Sequence, residues 1–488
     1  MRLLSALTTG ALVASCSWWA TSATASASGV PRLSLGQTSV FSVQGVPVPA
    51  TDIQGSPIPA TPAKYDKVTV RRFGSPSATN VLVLVPGLDA AAGYFDIVGP
   101  YLATHVPNLQ VWGVDRREDA LEDNSVLLRV LNGKESVQNA FEYYLEWLVD
   151  KQITNHYQPL ANSAYQFAFG WGLAATMGDL HNVVELARDG GRRTVILGGH
   201  SLGGAETSIY AAWDFNGQAG YQDIAGIVGI DGDAGPVSTG FMGQPPITTA
   251  SQAQSALSGL VSSGSPWFDL LGFGEPWVTG PFAELGALGA LKEPNTPWIA
   301  QTSPVVPAEL KPPVPTTNKA QYGYAFDAST SPAALSLIQV HSGHLASSGT
   351  PRGWVDDGPT PIEDVAFAFS EEPVGPIEWY FPQRLTIDVE AASSLSETPA
   401  AAALGLRLYH LSQVDVPMYV IQTSLGGKDN YVASAAVAYQ RASQIPSVTV
   451  INRASTYSHL DPLLAAPSHN AFLQTVVPWI KQLPEYKR

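Results

Sequence analysis

The run Val195-Ile-Leu-Gly-Gly-His200-Ser201-Leu-Gly-Gly-Ala205 restricts the fold of this chain more than any other stretch. Arg193 to Leu197 reads as a short buried parallel strand, and Ala205 to Trp213 as a helix of mostly small residues. Between them, Gly199-His200-Ser201-Leu202-Gly203 must turn the chain from strand to helix. Glycines two before and two after the serine give the two elements room to pass. A serine on such a strained turn projects its hydroxyl above the sheet as a nucleophile. The next N–H, on Leu202, then points to where an oxyanion would form.

The flanking chain supplies further strands. Val68-Thr-Val-Arg-Arg-Phe73 alternates like an edge strand, whereas Val81-Leu-Val-Leu-Val85 is the unbroken apolar run of a strand covered on both faces. Leu109 to Val114 and Ile224 to Ile230 read the same way, ending in the charge run Asp115-Arg-Arg-Glu-Asp119 and in Asp231-Gly-Asp233. The charge run reads as a salt-bridged loop holding the sheet's carboxyl edge, with substrate contact as the alternative. Val137, Ala140, Phe141, Tyr144 and Leu148 place an apolar stripe on a helix from about Glu135 to Gln152; Leu180, Val183, Val184 and Ala187 do so for a second, closed by Asp189-Gly-Gly191. Late in the chain come a strand over Pro417–Gln422, a helix over Val432–Arg441, a strand over Val448–Ile451 and a closing helix over Ala471–Gln482.

Gly-His-Ser-Leu-Gly-Gly in its strand-to-helix setting resembles the elbow of many lipases and esterases, and the chain resembles the α/β-hydrolase superfamily over residues 65–235 and 415–485. The resemblance implies an α/β fold with a mostly parallel sheet and an inserted cap or lid. It also implies a second oxyanion donor after the 81–85 strand. The usual His-Gly is Pro86-Gly87 here, so the donor is the Leu88 N–H. A serine hydroxyl needs a base, and the base a group that fixes its tautomer. The family order of Ser, then acid, then His assigns Ser201, Asp429 and His459, each after a strand. Asp231 and Asp233 compete with Asp429, because some related enzymes place the acid one strand earlier. Of the other histidines, His200 adjoins the nucleophile and His341 and His344 fall in the cap; Asp461 reads as holding the His459 loop.

Residues 236–415 are rich in Pro, Gly and Ser, yet they carry Trp267, Trp277, Trp298, Trp354 and Trp379. So many aromatics argue for a folded cap rather than a linker, with Trp379 a candidate pocket wall. The expected organisation is a signal peptide over 1–27, an extended proline-rich leader over 28–64, a first core part over 65–235, the cap over 236–415 and a second core part over 416–488. The apolar stretch from Leu3 to Ala14 before Ala23-Thr-Ala25 and Ala25-Ser-Ala27 is the signal pattern. Export therefore leads either to free secretion, extracellular or periplasmic, or to a lipid anchor on the sole cysteine, Cys16, which would attach the chain to a membrane. A net charge of −15 without a Lys/Arg cluster argues against nucleic acid. No metal-ligand set, phosphate loop or dinucleotide fingerprint is present, so no cofactor is expected. These residues point to a small-molecule or lipid-like ester substrate with a bulky apolar group. Amide, lactone or polyester cleavage, or acyl transfer by the same triad, stays open.

Overall fold

In the computed structural model, residues 37–237, 245–270, 272, 274–370, 375 and 377–486 are described. The signal-like stretch and Cys16 lie outside them. Eight strands build the main sheet: β1 (Thr38–Gln44), β2 (Lys67–Phe73), β3 (Asn80–Val85), β4 (Leu109–Asp115), β5 (Thr194–His200), β6 (Ile227–Ile230), β7 (Met418–Gln422) and β8 (Val448–Asn452). Their order across the sheet is β1-β2-β4-β3-β5-β6-β7-β8. β2 runs antiparallel to both β1 and β4, and every later pairing is parallel. This is an α/β fold with a mostly parallel sheet. β3, β4 and β5 are buried at every residue, as a sheet covered on both faces requires.

Register decides where the sheet presents chemistry. His200 pairs with Ile230, and Ile230 with Ile421, while Val85 pairs with Gly199. The carboxyl ends of β3, β5, β6 and β7 therefore lie side by side at one edge of the sheet. Ligands in open α/β sheets bind at this end of the strands.

Two expectations shift. The 28–64 leader is not extended throughout: Thr38–Gln44 is the sheet's outermost strand, paired residue by residue with β2. Its prolines, Pro47 onward, follow the strand and cost it no backbone donor. β2 is accordingly an inner strand rather than an edge.

The helices that bear on the site are α1 (Val137–Tyr144), α2 (Leu173–Arg188), α3 (Leu202–Ala212), α4 (Thr279–Lys292), α5 (Asn318–Phe326), α6 (Tyr431–Ala442) and α7 (Ala471–Gln482). α1 is shorter than its apolar stripe suggests; Ser136 caps its start, and a tight 3-10 turn over Glu146–Leu148 follows it. α2 closes on Asp189 in the left-handed conformation.

The segment between β6 and β7 does not make its own core alone. A second apolar cluster joins Phe141, Tyr144 and Tyr157, which precede β5, to Trp277, Trp379 and Tyr380, which follow β6. The Tyr157 and Tyr380 hydroxyls bond at 2.7 Å across that join. Trp379 is fully buried there, edge-on to Tyr144 and Tyr157, so it is core and not a wall of the cleft at Ser201.

Candidate active site

β5 ends at His200, and Ser201 takes φ 55° and ψ −121° before α3 begins. That strained backbone holds because the neighbouring chain is locked tightly around it. A Cβ on Gly199 would lie 2.1 Å from the Gly203 carbonyl oxygen, and one on Gly203 2.2 Å from that of Val85. The glycines of G-x-S-x-G are thus required by contact between strand, helix and the end of β3.

His459 follows β8 and donates from Nδ1 to Asp231 Oδ2 at 2.6 Å, with both side chains buried. Asp231, at the end of β6, is the acid beside His459. Asp429, the expected partner, is not: it sits exposed on a 3-10 turn with φ 57°. The loop after β7 folds inward earlier, at Thr423 and Gly426, and carries Asp429 out to solvent. Its inward part serves Asp231 as a set of donors. The Thr423 N–H (2.6 Å) and Oγ1 and the Gly426 N–H (3.2 Å) all reach the carboxylate. A Cβ on Gly426 would come within 2.4 Å of Asp231 Oδ1, so glycine is what lets that amide approach. Burial pushes the Asp231 carboxyl up, but His459 and the Thr423 donors outweigh it and hold it below its ordinary range.

Asp233 points elsewhere. It accepts from the Ser208 hydroxyl on α3 and from the Ala234 N–H, and burial raises its carboxyl to about 8. Asp461 holds the histidine's loop: it accepts from the Ser458 and His341 N–H groups, the His341 ring and the Thr360 hydroxyl. The segment between β6 and β7 is thereby tied to the loop that carries His459.

The loop after β3 lies over the nucleophile. A Cβ on Gly87 would be 3.1 Å from that of Ser201. Neither the Leu88 nor the Leu202 N–H has a hydrogen-bond partner among the described residues. Three residues outside the sequence-level assignments fix this loop. Tyr94 Oη accepts from the Gly87 N–H at 2.5 Å and lies 3.1 Å from His200 Nδ1. His200 Nε2 lies 3.0 Å from the His459 carbonyl oxygen, an acceptor, so Nε2 carries the proton and Nδ1 accepts from Tyr94. Burial and the neighbouring His459 lower His200 to about 3, which keeps it in this neutral form. Arg116 bonds the Pro86 and Gly87 carbonyls and is itself paired to Glu206 on α3. Arg117 is spent on Asp66, Asp179 and the Val46 carbonyl. Tyr94 carries no local signal in the sequence, since it works through contacts made by folding.

Ser201, His459, Gly87 and Leu88 line one cleft, which Leu337 and Phe369, from the segment between β6 and β7, also wall. Asp89 also lines it, and burial raises its carboxyl well above the ordinary range. Away from the cleft, His181, Glu185 and Asp223 converge among the described residues, but Arg188 already pairs with Asp223 at 2.9 Å and with Glu185, which reads as an ion-pair network rather than a metal site. The arrangement brings a serine hydroxyl, a histidine paired to a buried carboxylate and two backbone N–H groups into one cleft, the set of groups that nucleophilic attack by a serine requires.

No family model and no curated protein matches the chain. Solved structures similar to it include one from Sulfolobus solfataricus whose own lipase assignment is provisional, at 13% identity and TM-score 0.47 over 91% of this chain and 94% of that one. A soluble variant of monoglyceride lipase from Saccharomyces cerevisiae is 9% identical, TM-score 0.35, over 91% and 96%. The epoxide hydrolase VrEH1 from Vigna radiata is 12% identical, TM-score 0.37, over 88% and 97%. At these scores the strand order and the site geometry, not the likeness, carry the assignment of fold and chemistry.

Proposed function

We propose that this chain is a serine hydrolase of carboxylic esters that works through an acyl-enzyme, with Ser201, His459 and Asp231 as its triad. The observation that carries this reading is the buried 2.6 Å bond from His459 Nδ1 to Asp231, made in the same cleft as a serine held on a strained elbow. With Nδ1–H given to Asp231, Nε2 is left to take the Ser201 proton as Oγ attacks the ester carbonyl carbon. The Leu88 and Leu202 N–H groups hold the oxyanion that forms. Collapse breaks the carbon–oxygen bond to the alcohol, which leaves with the proton from His459. Water then gives a proton to His459 and attacks the acyl carbon, and as the carbon–Oγ bond breaks His459 passes that proton to Ser201 and the acid leaves. The signal-like N-terminus supports export, by free secretion or through a lipid on Cys16.

The test is covalent labelling by a fluorophosphonate together with turnover of a small ester such as p-nitrophenyl butyrate. Labelling and turnover that both vanish in a folded Ser201→Ala variant are expected. Hydrolysis retained by that variant would overturn the assignment.

A further inference from the structure

Beside the cleft at Ser201 lies a second pocket with a strongly apolar lining. It lies between α1, α4 and α5, and its walls include Phe141, Leu285, Trp298 and Phe326. Three residues, Leu270, Ile338 and Ile377, line both this chamber and the cleft of Ser201 and His459. They are flexible aliphatic side chains standing as the partition between nucleophile and chamber.

We infer that the chamber holds the hydrocarbon chain of a fatty-acyl ester whose carbonyl is presented to Ser201, an assignment that rests on the hydrolase reading above. The acyl half is the one that needs enclosed space, because it stays bonded to Ser201 until water releases it, whereas the alcohol must depart. A flexible chain passes between three aliphatic side chains where a rigid ring system would have to displace them. One glycine of α4 fits the same role. Gly289 lines the chamber, and a Cβ there would meet Asn318 only at 3.4 Å, so the position tolerates a side chain and its absence leaves the volume open.

The test uses the full chain and a series with one alcohol, p-nitrophenyl butyrate, octanoate, dodecanoate and palmitate. Each methylene that enters the chamber should raise kcat/KM by roughly fourfold until the chain is accommodated. Gly289→Leu should lower the palmitate-to-butyrate ratio of kcat/KM at least about tenfold, and Ala283→Leu, on the same wall, repeats the test if the first variant fails to fold. As a direct readout, cis-parinaric acid should bind the Ser201→Ala variant and bind it less once Gly289→Leu is added. Butyrate turnover with no gain along the series and no cis-parinaric acid binding would overturn the chamber's role while leaving the hydrolase reading intact. Binding of cis-parinaric acid by a chain that neither reacts with fluorophosphonate nor turns over any ester would overturn the inference together with the hydrolase reading.

Discussion

The ends of β6 and β7 are adjacent in the sheet, and each is followed by a loop that carries an acid. At β6 the acid is buried one residue past the strand and collects donors from His459, Thr423 and Gly426. At β7 the loop spends its inward reach supplying those donors, and its own acid, Asp429, ends in solvent. A catalytic acid is defined by what surrounds it, and one strand's loop can provide the shell for another's carboxylate.

The sharpest way to break this comparison is to neutralise each acid in turn. Asp231→Asn should lower kcat by about 10⁴, since an amide there no longer holds His459 in the productive tautomer. Asp429→Asn should change kcat by less than about twofold, as expected for an exposed side chain away from the cleft. The reverse pattern in ester turnover would return the role to Asp429.

A smaller perturbation asks whether the β7 loop acts through Asp231. Gly426→Ala places a methyl against Asp231 Oδ1, where glycine leaves 2.4 Å to an added Cβ. Displacing that carboxylate should cost about 10- to 100-fold in kcat, the scale of ångström-sized misplacements, with KM little changed. An unaltered kcat would show that the loop merely covers the acid.

Much of the sheet was legible in the sequence because its strands are short continuous apolar runs with nothing else to be. β3, β4, β5, β7 and β8 lie within a few residues of where those runs place them, and α7 spans Ala471–Gln482 as read. Ser201 and His459 were legible for a related reason: each follows such a run directly. The acid was not, because Asp231 and Asp429 both follow strands, and only the folding of two loops decides which one meets the histidine. β1 was hidden by the prolines after it. The chamber was hidden because its walls come from α1, before the elbow, and from α4 and α5, after β6, segments far apart in sequence.

The loop after β3 extends the comparison to a residue that never touches the reacting atoms. Tyr94→Phe removes the hydroxyl that joins the Gly87 N–H to His200 Nδ1 and leaves both buried groups without that partner. About 1–3 kcal/mol of stability should be lost on denaturant unfolding. A merely structural role would leave chemistry alone, so the informative readout is a lower kcat at constant KM for a small ester, reflecting a loosened Leu88 donor.

The smallest effect per group concerns pH, and here β6 and β4 differ in sign. Asp231 is held below its ordinary range by His459 and Thr423 despite burial, so its contribution is present above the unfolded pKa and lost as pH falls. At the end of β4 the balance is opposite. Burial raises Glu118 to about 7 and Asp119 to about 6, and it raises Asp115 and Glu378 well above the ordinary range, with the charges of Glu118 and Asp119 adding to the shift at these last two. Folded, these groups hold protons that the unfolded chain has released above about pH 4. Their stabilisation is therefore full below that pH and falls as pH rises through 6 and 7, by up to about 1.4 kcal/mol per pH unit for each proton retained. Thermal unfolding followed from pH 5 to 8 should show Tm declining, and Glu378→Gln, which removes one such group where core and cap meet, should make the decline shallower. A Tm that rises over that interval, or a slope untouched by the substitution, would mean that these carboxyls are ionised in the folded protein and balanced by Arg116 and its neighbours.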